Sequence, residues 1–314
     1  MIEAMRGLRL RKGERLGEMA RREEREFYLF ITPWLLGFLL FSLIPIAASF
    51  FIAMTDWPML RAPTWVGLRN YLQIFGADEL FRTTLGNTAY YTFLSVPLHI
   101  CLAMAVAMLL NQKVKGMTLF RTIFYIPSLV TGVSVAVLWA WLLNPQFGLV
   151  NHFLLRFFNI KGPEWLFNTR TAMPAMIIMS LWGIGGSMVI YLAGLQGIPD
   201  HLYEAAEIDG AGRLARFWNV TVPMMTPTIF FSLIMGVIGS MQTFTQFFIM
   251  TNGGPANATL VYVLYLYRQA FEFFRMGYAA ALAWILFLII LLVTLLQFWG
   301  ARHWVYYEGQ LKGR

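Results

Sequence analysis

The sequence predicts an all-α integral membrane protein with six transmembrane helices. The 314-residue chain is 58% hydrophobic and only 13% charged, and its mean hydropathy is +0.60, so it lacks the polar surface of a soluble domain. Six stretches without Asp, Glu, Lys or Arg can each supply the roughly 20 apolar residues that cross a bilayer as a helix. Runs such as residues 282–296 do not alternate polar and apolar residues, as the strands of a membrane barrel would.

The predicted transmembrane domain covers residues 27–301. Its spans are expected at residues 27–54, 86–111, 122–143, 172–195, 226–251 and 277–300. The fifth charge-free stretch is longer than one span, but Thr251-Asn252-Gly253-Gly254-Pro255 breaks it. Residues 256–267 are too short for a second crossing, and we expect them to form a helix lying on the membrane surface.

Basic residues indicate which side of the membrane each connection faces. They cluster in the segment from Arg6 to Arg25, in the second connection (Lys113, Lys115 and Arg121) and in the tail (Arg302, Lys312 and Arg314). The positive-inside rule places these segments, and therefore both termini, in the cytoplasm. Connections 56–82, 144–170 and 252–275 would then face outward. This placement accounts for the net charge of +8 without a nucleic-acid partner.

The two ends of the chain are predicted to be cytoplasmic. Residues 1–26 form a basic segment in which Arg and Glu alternate, a pattern that favours a solvated or membrane-surface helix. A solvated arm that sets orientation is the favoured interpretation, and a binding role is the alternative. Residues 302–314 form the tail.

A short connection between the fourth and fifth spans carries a clear helix pattern. Residues 198–210 read IPDHLYEAAEIDG, where Asp200 favours a helix N-terminus and Gly210 can adopt the left-handed conformation that ends a helix. Ala205 and Ala206 are strong helix formers with almost no bulk. The sequence thus predicts a short helix with a small-residue face, which can lie deep in a groove of a partner. An ordinary turn between spans is the alternative, and the residues alone favour neither.

A second short helix is predicted immediately after this one. It would run from Arg213 to Asn219 and end before Val222 and Pro223. Glu204, in the first helix, is available to pair with an Arg or Lys of a partner protein.

This connection resembles the EAA loop of ABC importer permeases. Glu204-Ala205-Ala206 is followed after three residues by Gly210 and after nine more by Val220-Thr221-Val222-Pro223. The family usually has Ile and Leu where this chain has Val before the closing proline. In that family the loop is the coupling helix, which sits in a cleft of a separate cytoplasmic ATPase. The resemblance implies that the ATPase-coupling residues are Glu204, Ala205, Ala206, Asp209, Gly210 and Pro223.

Other motifs are similar to permeases of the carbohydrate-uptake type. They include Thr55-Asp56-Trp57, residues 66–71 (VGLRNY), 193–199 (AGLQGIP) and 251–255 (TNGGP). The tail at 304–308 (WVYYE) looks like that of the first permease subunit in maltose and glycerol-phosphate type systems. The resemblance implies a type I ABC importer permease fold in the bacterial inner membrane.

The same resemblance implies the partners. They are a second homologous permease, two cytoplasmic ATPase subunits, an extracytoplasmic solute-binding protein and a sugar, besides the lipid bilayer. ATP and Mg²⁺ would be bound by the ATPase subunits, and this chain would bind no cofactor.

The residues give an independent reason for an external energy source. No Gly-x-x-x-x-Gly-Lys-Ser/Thr phosphate loop is present, so we expect a transport subunit without its own ATPase site rather than an enzyme. The predicted spans also contain no Asp, Glu, Lys or Arg, groups that ion-coupled carriers commonly place in the membrane. His99, in the second span, is expected to make a polar contact to a neighbouring helix rather than to relay protons.

The substrate path is predicted in the fourth and fifth spans, where hydroxyl and amide groups accompany aromatic rings. The candidate residues are Ser180, Trp182, Ser187, Ser240, Gln242, Thr243 and Gln246. Such side chains also hold transmembrane helices together, and for any one residue this alternative stays open.

Two other kinds of function remain as alternatives. The cargo could be glycerol phosphate, a polyol or another small solute, although a phosphate would favour clustered Arg that the spans lack. An ion-coupled secondary transporter or a membrane enzyme would require titratable or metal-ligand clusters at membrane depth, and we expect no metal site.

Overall fold

The computed structural model describes residues 17–112 and 114–306. The chain divides into two compact units, Met1–Ile52 and Ala53–Arg314. The predicted arm before Gly17, the basic residue Lys113 and the tail beyond Tyr306 lie outside the described residues.

The first unit contains a long apolar helix. Helix α1 (Glu18–Phe38) continues through a π turn (Leu39–Leu43) into α2 (Ile44–Ala53). The part from Arg21 to Ala53 is long and apolar enough to cross a membrane. This helix begins before the predicted residue 27, because the charged segment is also helical. Arg22 and Glu26, one turn apart in it, form an ion pair at 2.8 Å.

The second unit begins with a two-stranded antiparallel sheet, in which β1 (Thr55–Asp56) pairs with β2 (Thr64–Trp65). All its other regular elements are helical. The α-helices are α3 (Arg69–Ala77), α4 (Glu79–Leu110), α5 (Met117–Leu129), α6 (Gly132–Leu142), α7 (Leu149–Phe158), α8 (Ala172–Ser180), α9 (Gly185–Gln196), α10 (Asp200–Ile208), α11 (Arg213–Arg216), α12 (Val222–Met241), α13 (Thr245–Met250), α14 (Tyr262–Tyr267) and α15 (Met276–Ala301).

The number of candidate spans agrees with the all-α fold of six transmembrane helices. Across residues 17–112 and 114–306, four helices are long and apolar enough to cross a membrane, and two bent pairs bring the number to six. The last span, α15, lies within one residue of the predicted 277–300 at each end.

The second span, α4, begins seven residues before the predicted start at residue 86. Asp78 caps it, since its Oδ1 accepts a hydrogen bond from the backbone N–H of Phe81 at 2.9 Å. The first turn carries Glu79 and Arg82, which extend the helix beyond the apolar stretch.

Bends divide the third and fourth spans, which the sequence predicts as single helices. Helices α5 and α6 meet at 97°, because Val130 and Thr131 adopt extended backbone conformations. Helices α8 and α9 meet at 52°, with a 3₁₀ turn (Leu181–Gly183) between them. Gly185 begins α9 where the backbone lies against α5, and a Cβ there would be 2.4 Å from the carbonyl oxygen of Phe124.

The fifth span is the end of a longer helical run, Arg213–Met250. The predicted second helix does begin at Arg213, but it does not stop before Pro223. A π turn (Phe217–Thr221) joins α11 to α12. Proline has no N–H to donate, and the wider turn accommodates it without ending the helix. A break at Gln242–Phe244 separates α12 from α13.

The connection before the last span differs from the predicted surface helix. Residues 251–259 form turns, α14 starts only at Tyr262, and a π turn (Arg268–Glu272) follows. Tyr262 and Leu264 are fully buried in the larger hydrophobic core. Asn87 of α4 fixes the turns, because its Nδ2 donates to the carbonyl oxygens of Asn257 and Leu260 at 2.8 and 3.0 Å.

Candidate functional site

Helix α10, which contains the Glu204-Ala205-Ala206 motif, has one packed face and one exposed face. Leu202 and Tyr203 pack against the second hydrophobic cluster, which α4, α9 and α12 share. Glu204 and Ala205 are exposed on the opposite side, while Ala206 is half-buried on the same side as Leu202 and Tyr203. The motif is therefore presented on the surface of the second unit, where a partner can reach it.

The end of α10 is fixed by a Schellman motif. The N–H of Ala211 donates to the carbonyl oxygen of Ala206 at 2.8 Å, and the N–H of Gly210 donates to that of Glu207 at 3.0 Å. Asp209 is the exposed C-cap residue. Gly210 has a φ of +79°, the left-handed conformation predicted for it. The sequence correctly predicts where this helix stops and why.

Two side-chain contacts join α10 to the long helical run that follows it. The Tyr203 hydroxyl lies 3.0 Å from the Thr221 hydroxyl at the base of α12. Arg216 Nη1 donates to Glu207 Oε2, also at 3.0 Å. Pro223 is half-buried in the first turn of α12.

A cavity of about 360 Å³ lies between α4, α9 and α12, and Ser180 of α8 and Gln246 of α13 also line it. Its lining consists of hydroxyl, amide, imidazole and apolar groups, and none of the described lining residues is Asp, Glu, Lys or Arg. Tyr91 and Tyr191, both buried, supply aromatic faces. Such a mixture suits an uncharged ligand with several hydroxyl groups.

Five of the seven predicted path residues line this cavity: Ser180, Ser187, Ser240, Thr243 and Gln246. Several of them also bond to the protein, so the helix-packing alternative accounts for part of their role. The Ser240 hydroxyl donates to that of Thr92 at 3.0 Å, and the Thr243 hydroxyl donates to Gln246 Oε1 at 3.2 Å.

The predicted polar contact of His99 with a neighbouring helix is confirmed. His99 Nε2 lies 3.0 Å from the Ser187 hydroxyl, which joins α4 to α9 at the wall of the cavity.

Two predicted path residues lie outside the cavity. Trp182 belongs to the 3₁₀ turn, and its ring packs edge-on against Trp139 at 6.3 Å between centroids. Gln242 belongs to the break between α12 and α13, and its side chain is exposed. Both lie where regular α-helix is interrupted, and residue type alone did not indicate these interruptions.

Sequence reasoning missed several residues of both sites. Ile208 is 87% exposed and lies one helical turn after Glu204, so its i, i+4 spacing from the motif could have identified it. In the cavity wall, Ser95 and Ser232 were missed. Ser95 lies four residues before His99 and Ser232 lies four residues before Gly236, but this helical spacing identifies them only once the cavity is known.

These features define a class of protein, a polytopic helical permease with a surface-exposed helix at α10 and an uncharged polar cavity. The chain belongs to the family described as binding-protein-dependent transport system inner membrane component, which matches residues 99–304. It is therefore an inner-membrane permease subunit of an ABC importer.

Relatives of known name are similar over nearly the whole chain. The probable ABC transporter permease protein YesP of Bacillus subtilis is 41% identical, over 92% of this chain and 94% of YesP. The arabinooligosaccharides transport system permease protein AraP of Bacillus subtilis is 34% identical, over 86% of each chain. The trehalose/maltose transport system permease protein MalF of Thermococcus litoralis is 33% identical, over 87% of this chain and 92% of MalF.

A solved structure shares the fold. A chain in the crystal structure of a bacterial alginate ABC transporter, in complex with an alginate pentasaccharide-bound periplasmic protein, superposes with a TM-score of 0.81. The match covers 92% of this chain and 98% of that chain at 23% identity, which establishes the type I permease fold.

Proposed function

We propose that this chain forms half of the path by which an ATP-driven importer carries a sugar into the cell. A second homologous permease would form the other half, and two cytoplasmic ATPase subunits would supply the energy. An extracytoplasmic binding protein would deliver the sugar, a mono-, di- or oligosaccharide, to the outer connections. Both termini and the 200–223 loop would then be cytoplasmic, as the positive-inside rule predicts.

The observation that carries the proposal is a continuous physical link between the exposed motif and the polar cavity. Tyr203 on α10 contacts Thr221, and from Thr221 one helical run continues to Ser240 in the cavity wall. At 1.5 Å per residue this run is roughly 28 Å long. A displacement of α10 can therefore be transmitted to the cavity by a rigid element rather than by a flexible loop.

The proposed mechanism uses this link in both directions. ATP binding would draw the ATPase subunits together, and the α10 helix seated on them would move with them. The helix from Arg213 onward would then turn the cavity from inward-facing to outward-facing, where it would receive the sugar. Hydrolysis would reset it. In this scheme the permease has two states, and ATP shifts the population between them.

The chemistry of the cavity supports a sugar as cargo. Hydroxyl groups such as those of Ser187 and Ser240 can exchange hydrogen bonds with sugar hydroxyls, and the ring of Tyr91 can cover an apolar sugar face. The names of the relatives AraP and MalF agree with this class. Glycerol phosphate is the weaker candidate, since none of the described lining residues is an Arg or Lys that would pair with a phosphate.

A glycine in the cavity wall allows a direct test. Gly239 lines the cavity, and a Cβ built there meets nothing within 4 Å, so leucine at this position would fill the cavity without a backbone clash. Gly86 in α4 is an equally open helical glycine outside the cavity and provides the matched control.

The assay is ATP-dependent uptake by the whole transporter in vesicles, using a labelled sugar that its binding protein retains. We expect Gly239→Leu to block uptake while the ATPase subunits stay bound, and Gly86→Leu to transport like the unaltered protein. Normal sugar uptake by Gly239→Leu, or uptake of glycerol phosphate in preference to every sugar, would contradict the proposal.

A further inference from the structure

The helix α7 in the third connection lies close to the ends of two spans. The N–H of Gly148 donates to the carbonyl oxygen of Asn144 at 2.9 Å, so a hydrogen-bonded turn at 144–148 connects the end of α6 to the start of α7. Asn151 Oδ1 accepts a hydrogen bond from the indole N–H of Trp165 at 2.7 Å. Trp165 itself lies only seven residues before the start of α8. These contacts hold the first turn of α7 beside both spans, at the edge of the apolar layer.

One side of α7 packs on the protein and another side is apolar but uncovered. Val150 packs against the larger hydrophobic core, and Leu154 is half-buried on the same side. Leu149, Phe153 and Phe157 follow at four-residue spacing and are 52%, 52% and 70% exposed. These three residues form the α7 stripe.

The rings of the α7 stripe form a continuous apolar surface, since the centroids of Phe153 and Phe157 are 4.6 Å apart. His152 and Arg156 are exposed along its other margin. Across residues 144–170 three basic residues accompany a single acidic one, which leaves a net charge of +2. The helix therefore carries an apolar stripe, a polar margin and positive charge.

We infer that α7 is a membrane-surface helix whose stripe enters a phospholipid layer with anionic headgroups. A helix held beside two span ends is at the depth where an apolar stripe meets acyl chains and its basic margin meets phosphates. A stable protein partner would need a surface of about 800 Å² on each side, far more than three side chains present. The inference holds for either orientation of the chain in the membrane, so it does not depend on the proposed cargo or coupling.

Spin labels at two positions of the same helix test this depth. Cys101, the single cysteine of the chain, is replaced by alanine. Cysteine is then introduced as Phe157→Cys in the stripe or as His152→Cys on the polar margin, and labelled with a nitroxide. The whole transporter is reconstituted in vesicles of phosphatidylglycerol and phosphatidylethanolamine, and collisions with oxygen and with a water-soluble nickel chelate give the label depth.

The label at position 157 is expected about 5–10 Å below the phosphate level, and the label at position 152 is expected at or above that level. Phe153→Cys serves as a second stripe position and should match position 157. Replacing phosphatidylglycerol with phosphatidylcholine should make both stripe labels shallower.

Three results would overturn the inference. The first is equal access of the nickel chelate to positions 157 and 152. The second is stripe labels that become protected only when the sugar-loaded binding protein is added, which would identify a protein-docking surface instead. The third, an unchanged depth in phosphatidylcholine, would overturn the role of anionic headgroups.

Discussion

Replacing Gly210 with valine is expected to weaken the association of this permease with its ATPase subunits. Gly210 ends α10 with a φ of +79°, and a Cβ built there meets nothing within 4 Å. The cost of a side chain is therefore conformational rather than steric. For a residue with a Cβ, the left-handed conformation costs about 1–2 kcal/mol.

The substitution therefore destabilises the Schellman motif that ends α10. Because this motif fixes the end of the helix, its loss changes how Glu204 and Ile208 are oriented toward the ATPase. A change of this size alters an equilibrium by about 5–30-fold. We expect the Gly210→Val permease to retain correspondingly less ATPase subunit during purification and to lose ATP-dependent uptake. Hydrogen exchange should accelerate at the N–H groups of Gly210 and Ala211, which the motif now protects.

Two variants serve as controls. Gly210→Asn should stay close to the unaltered protein, because asparagine tolerates the left-handed conformation. Gly212→Ser changes a nearby glycine that has a φ of −66° and caps α11, a position that serine favours. If valine, asparagine and serine variants retain the ATPase equally well, the capped end of α10 does not control coupling.

Three further predictions concern polar contacts inside the second unit. Ser187→Ala should destabilise the protein by about 1–3 kcal/mol, because it removes the contact made by the His99 imidazole, and unchanged thermal unfolding would refute this. Asn87→Ala removes two hydrogen bonds to the turns before α14 and should cost about 1–3 kcal/mol, measured in the same way, with faster hydrogen exchange confined to residues 251–260. Asp78→Ala removes the cap of α4, which is worth about 0.5–2 kcal/mol, and also the acceptor of the Tyr265 hydroxyl at 2.6 Å. Asp78→Asn keeps an acceptor oxygen, so this variant should unfold at a higher temperature than the alanine variant.

The last contact also has a defined pH dependence. Burial first, and then the hydrogen bond to Asp78, raise the pKa of the Tyr265 hydroxyl above its ordinary value. The protonated hydroxyl that donates to Asp78 is thus favoured in the folded state. The stability it contributes should be constant below the ordinary tyrosine pKa and should fall only as the pH rises above it.

The coupling loop shows what sequence can and cannot predict. Asp200, Ala205 and Gly210 predict the position and end of α10 because helix propensity and capping are local properties. The contact of Tyr203 with Thr221 was not predictable, because it depends on the backbone conformation just before Pro223. A proline usually argues for a helix end, and only the π turn shows that this helix continues.

The cavity shows the same division. Ser180, Ser187 and Ser240 could be proposed from residue type alone, and the structure brings them to one cavity with Thr243 and Gln246. Trp182 and Gln242 lie at interruptions of the helices and do not line the cavity. A regular helical pattern in the sequence does not indicate where such interruptions occur. A short helix was predicted in the segment that contains α14, but not its burial, since an apolar segment too short to span the membrane can lie on its surface or within the protein.

The central claim is that ATP bound to the ATPase subunits opens the cavity of this permease to the outside. The most direct measurement follows the access to that cavity. Gln246, in the cavity lining, is replaced by cysteine in a protein whose Cys101 is alanine, and the whole transporter is reconstituted in vesicles. A membrane-impermeant maleimide is then applied from the side opposite the ATPase subunits. We predict faster labelling when those subunits hold a non-hydrolysable ATP analogue, and no acceleration when Gly210→Val is also present. A labelling rate that is the same with and without the nucleotide would contradict the account.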